Sequence, residues 1–465
     1  MAQSEVYRTE SDSMGEVDIA PGKYWGAQTQ RAVKNFGISP LRIPQQLIRA
    51  LATIKRNAAR ANCELGVVDK KRADAIVQAA DEMSAGHWDE HFPIDVFQTG
   101  SGTSWNMNTN EVLANRANEI LGKPLGTRDP VHPNDHVNRG QSSNDVIPTA
   151  VHIANRVGLE DTVAAVHELA LSFENKAQEF QEVVKLGRTH LQDAVPMTLG
   201  QEFSGYATQL RKGARRLTAC SVSLEELALG GTAVGTGINC APGFADAAIA
   251  GIAADTGFPF KAADNRFEAI AARDAQVELM GAVNVVAVSL MKIGNDLRLL
   301  AGGPRAGLGE IELPSLQPGS SIMPGKVNPV IPEMIIQVAA QLAGKASAVS
   351  IAGSHGPLEL NMMHPLIAYE TQSSLELLAA CCRASAERCV DGIKADVGRC
   401  EYWIEWSLAL VTPLANEIGY DRASQLAYKA YKERRTIREV ASEEGVLPEE
   451  RLAELLNPRS MLGSG

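Results

Sequence analysis

Four short stretches of this chain concentrate hydroxyl and amide side chains: Thr99–Asn110 (TGSGTSWNMNTN), His132–Asn138 (HPNDHVN) running into Gln141–Asp145 (QSSND), Gly187–Asp193 (GRTHLQD), and Gly319–Asn328 (GSSIMPGKVN). Ser, Thr and Asn also cap helices, and any one of these segments taken alone reads as a cap. Four of them, each longer than a cap needs, describe a lining of donors with little net charge. Such a lining suits a small carboxylate, which accepts many hydrogen bonds.

The fourth stretch is the most specific. Gly319 and Gly325 let the backbone turn and turn its N–H groups outward, Lys326 supplies a point charge, and Asn328 adds a neutral donor. A serine hydroxyl is a poor base in water. Backbone donors and a nearby cation stabilise its alkoxide, so Ser320, with Ser321 beside it, is a candidate base on a loop that covers its ligand during turnover. The plain alternative is a loop that only joins two helices. His190 follows Arg188 and Thr189 in the third stretch, and Glu333, just past the loop, is a candidate partner to hold its imidazole.

Rival signals are weaker. His87 and His91, and His132 and His136, have zinc-ligand spacing, but Phe-Pro follows His91 and Pro-Asn follows His132, so neither pair suits a helix. Gly230–Gly237 (GGTAVGTG) lacks the Gly-Lys-Ser/Thr ending of a phosphate loop and reads as a helix-end turn. Cys381, Cys382 and Cys389 fall in an apolar helical stretch and read as core.

Elements able to position these segments follow from composition. The chain has 465 residues, 45% hydrophobic but only 5% aromatic, so its core is built from Ala, Leu, Ile and Val, which suits close-packed helices. Residues 150–195 and 261–303 contain no proline and read as helix. Between Phe267 and Leu297 apolar residues recur at threes and fours, with Val285 and Val288 off that stripe. Met334–Ala352 is apolar all round. Helices of this kind imply a bundle shared between subunits. Residues 302–332 hold six glycines and six prolines and form a long irregular loop. Residues 1–138 read as loops, a short hairpin at most, and helices including Gln45–Leu65. The predicted division is 1–138 mixed and mainly helical, 139–393 central bundle, and 394–465 a small helical domain.

The formal charge of −11 argues against nucleic acid as a partner. No uninterrupted apolar run is long enough for a bilayer span, which predicts no membrane. The polar, acidic first residues resemble no targeting segment, and seven cysteines without a CxxC pair fit a reducing cytoplasm.

Taken together, the four segments resemble the fumarase/aspartase superfamily, and within it the class II fumarases, from Met14-Gly15-Glu16 to the last helices. GSSIMPGKVNP at 319–329 is similar to the superfamily signature. Gly100–Ser104 (GSGTS), His132–Asp135 (HPND) and Gln141–Asp145 (QSSND) fall on the fumarase side, where aspartases tend to read GAGTS and QSTND. The resemblance implies an all-α, three-domain fold whose central five-helix bundle joins three others in a twenty-helix homotetramer core, with each active site shared by three subunits. It implies no cofactor and no metal, and a substrate pair of fumarate and L-malate interconverted through an aci-carboxylate in the tricarboxylic acid cycle. It assigns Ser320 as the base, His190 with Glu333 to the leaving hydroxyl, and Lys326 to the developing charge. Ser101, Gly102, Thr103, Ser142, Ser143, Asn144, Thr189, Ser321 and Asn328 become substrate-binding residues. His132, Pro133, Asn134 and Asp135 match a secondary dicarboxylate site. Two positions depart from the family pattern: Arg139-Gly140 before QSSND, and Trp105. Aspartate ammonia-lyase on the same scaffold, and a helical scaffold without catalysis, are the alternatives.

Overall fold

The computed structural model describes residues 7–462. The fold is all-α, 61% helical, with only short strands. A hairpin of β1 (Arg8–Asp12) and β2 (Gly15–Ile19) precedes helices α1 (Gln45–Glu64) and α2 (Thr103–Ile120). The five longest helices among the described residues are α3 (Ser143–Glu179), α4 (Leu199–Ala219), α5 (Asp274–Leu300), α6 (Val330–Gly353) and α7 (His364–Arg388). The chain divides into two compact units, Met1–Val163 with Arg215–Asn284 and Gln341–Leu378, and Ala164–Ala214 with Val285–Ala340 and Ala379–Gly465.

In the first unit, α1 buries Leu47, Ile48, Leu51, Ile54 and Ala58 at helical spacing in one aliphatic core. Helix α2 is different, because five of its buried residues are asparagines. Three of them satisfy the backbone of neighbouring loops. Asn108 donates to His91 O at 2.9 Å and Asn115 to Tyr24 O at 2.8 Å, while Asn118 exchanges two 2.8 Å bonds with Val131. Buried Glu111 accepts from the N–H groups of Gly26, Gln28 and Thr29, capping the helix Ala27–Asn35 with a carboxylate where the helix dipole favours one. A polar helix is stable inside the core because its amides replace water for loop groups that would otherwise be unsatisfied.

In the second unit, the proline-free stretch expected to stay helical to 195 does not. Helix ends at Glu179, and β3 (Val184–Thr189) turns back into β4 (Gln192–Thr198) as an antiparallel hairpin. Absence of proline permits a helix but does not require one. Val183 and Val184 favour strand, Gly187 sits where the register shifts, and Pro196 then lies within the partner strand. The stretch 261–303 is likewise broken: a short helix, Arg266–Ala271, ends at extended Ala272 before α5 starts. The C-terminal helices pack Ile404, Leu410, Leu426, Ile437 and Val440 with Leu186 in a separate small core, and a Thr436–Glu439 capping box starts one of them.

Helices α5 and α6 are long and apolar enough to cross a membrane by length and composition, as core helices of a bundle also are. Only 44% and 28% of their most apolar windows are buried within the chain. Val288 is 62% exposed and Ile351 63%.

Candidate functional site

The first unit brings two helix N-termini together. Gly102, at φ +72°, lets the chain turn into α2, and a Cβ there would sit 3.0 Å from Ile147, one turn into α3. Gly100 packs closer still: a Cβ would lie 2.0 Å from the Met362 carbonyl oxygen. The turn Gly100–Ser104 therefore needs glycine at both positions. Ser101 Oγ and Thr103 Oγ1 stand 2.8 Å apart at the head of α2. At the head of α3, Asn144 N donates to Ser142 Oγ at 3.2 Å, and Asn106 Nδ2 donates to Ser143 Oγ at 3.2 Å. The positive ends of two helix dipoles and several hydroxyls thus share one place, a setting that binds anions.

Behind this wall lie residues that motif reading did not single out. Lys55, fully buried on α1, donates to Asn138 Oδ1 at 2.9 Å and Gln141 Oε1 at 3.0 Å. Burial pushes its ammonium down to about 7, opposed by the charge of Asp145. Asp145, also fully buried, accepts from Ser142 N at 2.8 Å, Gly230 N at 3.0 Å and Thr232 N at 2.9 Å. Desolvation raises its carboxyl to about 6 against those three bonds. The glycine run Gly230–Gly237 is therefore not a helix-end turn. It is a loop whose N–H groups cradle the protein's own carboxylate, and Asn144 Nδ2 ties to it through Ala233 O at 2.8 Å. Asn106, Asn138 and Asp145 lie inside stretches already marked as polar. The only sequence signal for Lys55 is its place on the apolar stripe of α1.

Pro133–Val137 forms a single π-turn capped by His132, whose Nδ1 accepts from Asn134 N at 3.2 Å and Asp135 N at 3.3 Å. It follows Val131, which is bonded to Asn118, twelve residues along α2 from Asn106 and so ~18 Å up the helix. This segment is separate from the paired N-termini. The zinc-spaced histidines have other duties: His136 Nδ1 accepts from His132 N at 2.8 Å, and His91 Nδ1 accepts from Tyr24 N at 3.2 Å. Of the two departures, Trp105 is fully buried in the core of this unit and Arg139 is exposed.

The second unit holds the remaining candidates. Ser320 Oγ accepts from Met323 N at 3.0 Å and Ile322 N at 3.3 Å. Gly319 N donates to Lys326 O at 2.8 Å, and Asn328 Nδ2 donates to Gly319 O at 2.6 Å, closing the loop into a ring. A cavity of about 420 Å³ is lined by Ser315, Leu316, Ser320, Met323 and Lys326, among others. Ser321–Val327 are exposed. Two backbone donors on one hydroxyl oxygen favour its deprotonated form.

His190 and Leu191, at φ +57° and +58°, make the two-residue turn between Thr189 and Gln192. Both residues of such a turn need positive φ, which glycine or asparagine adopts far more easily. Each side chain here costs about 1–2 kcal/mol. Arg188 anchors the hairpin to fully buried Glu310 at 2.9 Å, and Lys185 reaches the same carboxylate at 3.2 Å. The tip is left outward, with His190 exposed and Leu191 70% exposed. Within one chain His190 makes no hydrogen bond or ion pair with Glu333 among the described residues. Glu333 sits half-buried in the first turn of α6.

Residues 15–344 match the lyase family and residues 410–463 the fumarase C C-terminus. The class II fumarate hydratase of Halobacterium salinarum is 53% identical over 99% of this chain and 98% of its own length. The mitochondrial fumarate hydratase of Danio rerio is 49% identical over 100% of this chain and 91% of its own. The crystal structure of class II fumarase from Schistosoma mansoni superposes with a TM-score of 0.95 at 40% identity, covering 98% of this chain and 99% of that one. On a lyase match across most of its length and relatives near half identical from end to end, the chain belongs to the class II fumarate hydratases of the lyase family.

Proposed function

We propose that this protein catalyses the reversible hydration of fumarate to L-malate, with Ser320 as the base. The observation that carries this is the Ser320 oxygen receiving two backbone N–H groups beside Lys326. In the malate-to-fumarate direction, Ser320 Oγ takes the proton from C3. The electron pair left on carbon moves into the adjacent carboxylate as an aci-carboxylate, whose charge Lys326 and Asn328 hold. The C2–O bond then breaks, and the hydroxyl leaves as water with a proton supplied from the side of His190. Ser101, Gly102, Thr103, Ser142, Ser143 and Asn144 bind the carboxylates at the two helix N-termini, joined by Thr189 and Ser321. His132–Asp135 is a secondary dicarboxylate site.

These groups belong to more than one copy of the chain. The outward His190 tip meets Glu333 of another subunit, and the apolar faces of α5 and α6 bury against other copies in a homotetramer with three-subunit sites. The exposed Val288 and Ile351 support this reading, since a lipid partner would leave the polar wall of the first unit without a role. The division into 1–138, 139–393 and 394–465 is part of this proposal. The relatives include a mitochondrial enzyme; a cytoplasmic location is part of this proposal and rests on composition.

The test is the ultraviolet absorbance of fumarate. Loss in buffer alone, with L-malate as product, is the expected result. Turnover only when ammonium is added would replace hydration with the ammonia-lyase reaction.

A further inference from the structure

Beneath the two helix N-termini runs a relay of amides with a lysine at its inner end. Lys55 Nζ donates to Asn138 Oδ1 at 2.9 Å and to Gln141 Oε1 at 3.0 Å. An ammonium has three donors and no acceptor, so both amides must turn their oxygens toward it. Asn138 Nδ2 then donates to Gln141 O at 3.2 Å, and Gln141 Nε2 to Val137 O at 3.1 Å. The same Asn138 oxygen also accepts from Asn106 Nδ2 at 3.1 Å, and Asn106 Nδ2 donates its other proton to Ser143 Oγ at 3.2 Å. Ser143 Oγ is thereby an acceptor toward the interior, and its own proton is left for a group outside. If Asn138 were reversed, Asn106 would face an amide nitrogen, would reverse in turn, and would present an oxygen to Ser143. The serine would then spend its proton inward.

We infer that Lys55 is a positioning residue: acting through Asn138 and Asn106, it holds the Ser143 hydroxyl as a hydrogen-bond donor toward the substrate carboxylate. This rests on the reading that Ser143 contacts a carboxylate. Lys55 is fully buried, behind the wall that Ser143 belongs to. Its charge is offset by Asp145 without a direct ion pair, because Asp145 is occupied by the N–H groups of Ser142, Gly230 and Thr232. A lysine serving only to fix α1 to the loop would influence stability. A lysine that sets the polarity of Ser143 also influences how tightly a dicarboxylate is held.

The experiment compares KM and kcat for fumarate, and the inhibition constant of succinate, in the intact oligomer of wild type, Lys55→Met, Asn106→Leu, Ser143→Ala and the double variant Lys55→Met/Ser143→Ala. Loss of one hydroxyl-to-carboxylate bond corresponds to roughly a tenfold to hundredfold change in binding. Each single variant is expected to raise KM and the succinate constant by about that factor, with kcat changed far less. The double variant is expected to be no worse than Ser143→Ala alone. Unchanged KM and succinate binding in folded Lys55→Met overturn the inference, as does a double variant whose two effects multiply. Asn106→Leu leaves Lys55 in place and cuts the relay one step later. If Lys55→Met does not fold, normal binding by Asn106→Leu overturns the inference by itself. If Ser143→Ala binds fumarate and succinate normally, the carboxylate-site reading has failed, and the role given to Lys55 falls with it.

Discussion

Ser320 has the geometry of an activated hydroxyl, but the activation is confined to a few ångströms. Two N–H groups meet its oxygen, and the loop closes on itself through Gly319, Lys326 and Asn328. Ser320→Ala should lower kcat by about 10²–10⁴-fold, the range of a positioned acid or base, while leaving the melting temperature and oligomer unchanged. Steady-state kinetics checks it, and near-normal turnover would remove Ser320 as the base. Lys55 makes a different kind of prediction. Its folded value of about 7 lies below the ordinary 10.5, so between those values the folded protein holds fewer protons than the unfolded chain. Stability from this group therefore rises as pH climbs from about 7 to 10.5, and is lowest where the buried amine is charged. Asp145, near 6, titrates below that window in wild type, and losing the Lys55 charge in the variant raises it further. Thermal melts of wild type and Lys55→Met should show their difference moving in favour of wild type between pH 7 and 10. A constant difference would mean that the lysine is no harder to charge when folded.

At the scale of elements, two turns carry residues of the proposed site, and each is under a different constraint. Gly100 is fixed by space: a Cβ there would overlap the Met362 carbonyl oxygen. Gly100→Ala should lower stability by roughly 1–3 kcal/mol, the range for overpacking, and raise KM by displacing Ser101 and Thr103. Denaturant unfolding and kinetics on the same sample check both effects, and a neutral substitution would mean that the turn can shift without disturbing the wall. The His190–Leu191 turn is fixed by backbone strain with no packing over it. In the proposed shared site, the strain kept at this exposed tip, on a hairpin anchored by buried Glu310, would hold His190 out toward another chain.

At the scale of the molecule, the unpartnered surfaces agree in what they imply. Helix α6 has only 28% of its most apolar window buried in one chain, and α5 44%. Light scattering should give about four times the 49.7 kDa chain mass. Val288→Asp and Ile351→Asp, at exposed apolar positions, should shift the protein toward smaller species and lose turnover together with assembly, as seen by light scattering and assay across a dilution series. A dissociated variant with full activity would contradict sites shared between subunits.

The four polar segments were legible in the sequence because their chemistry is local. A glycine that must turn, a serine beside backbone donors and a lysine two residues past a proline are adjacent in the chain. The helical character of the long apolar stretches was legible for the same reason, since a spacing of threes and fours is a property of consecutive residues. The hairpin at Val184–Thr198 was not, because its strands are chosen by pairing with each other and by Glu310, more than a hundred residues away. Nor was the service of the Gly230 loop to Asp145, or of Lys55 to Asn138, each a bond across more than eighty positions. Sequence by itself determined which side chains are candidates for the chemistry. Tertiary structure alone decided which way their protons point, because that depends on donors and acceptors brought from distant parts of the chain into a space without water.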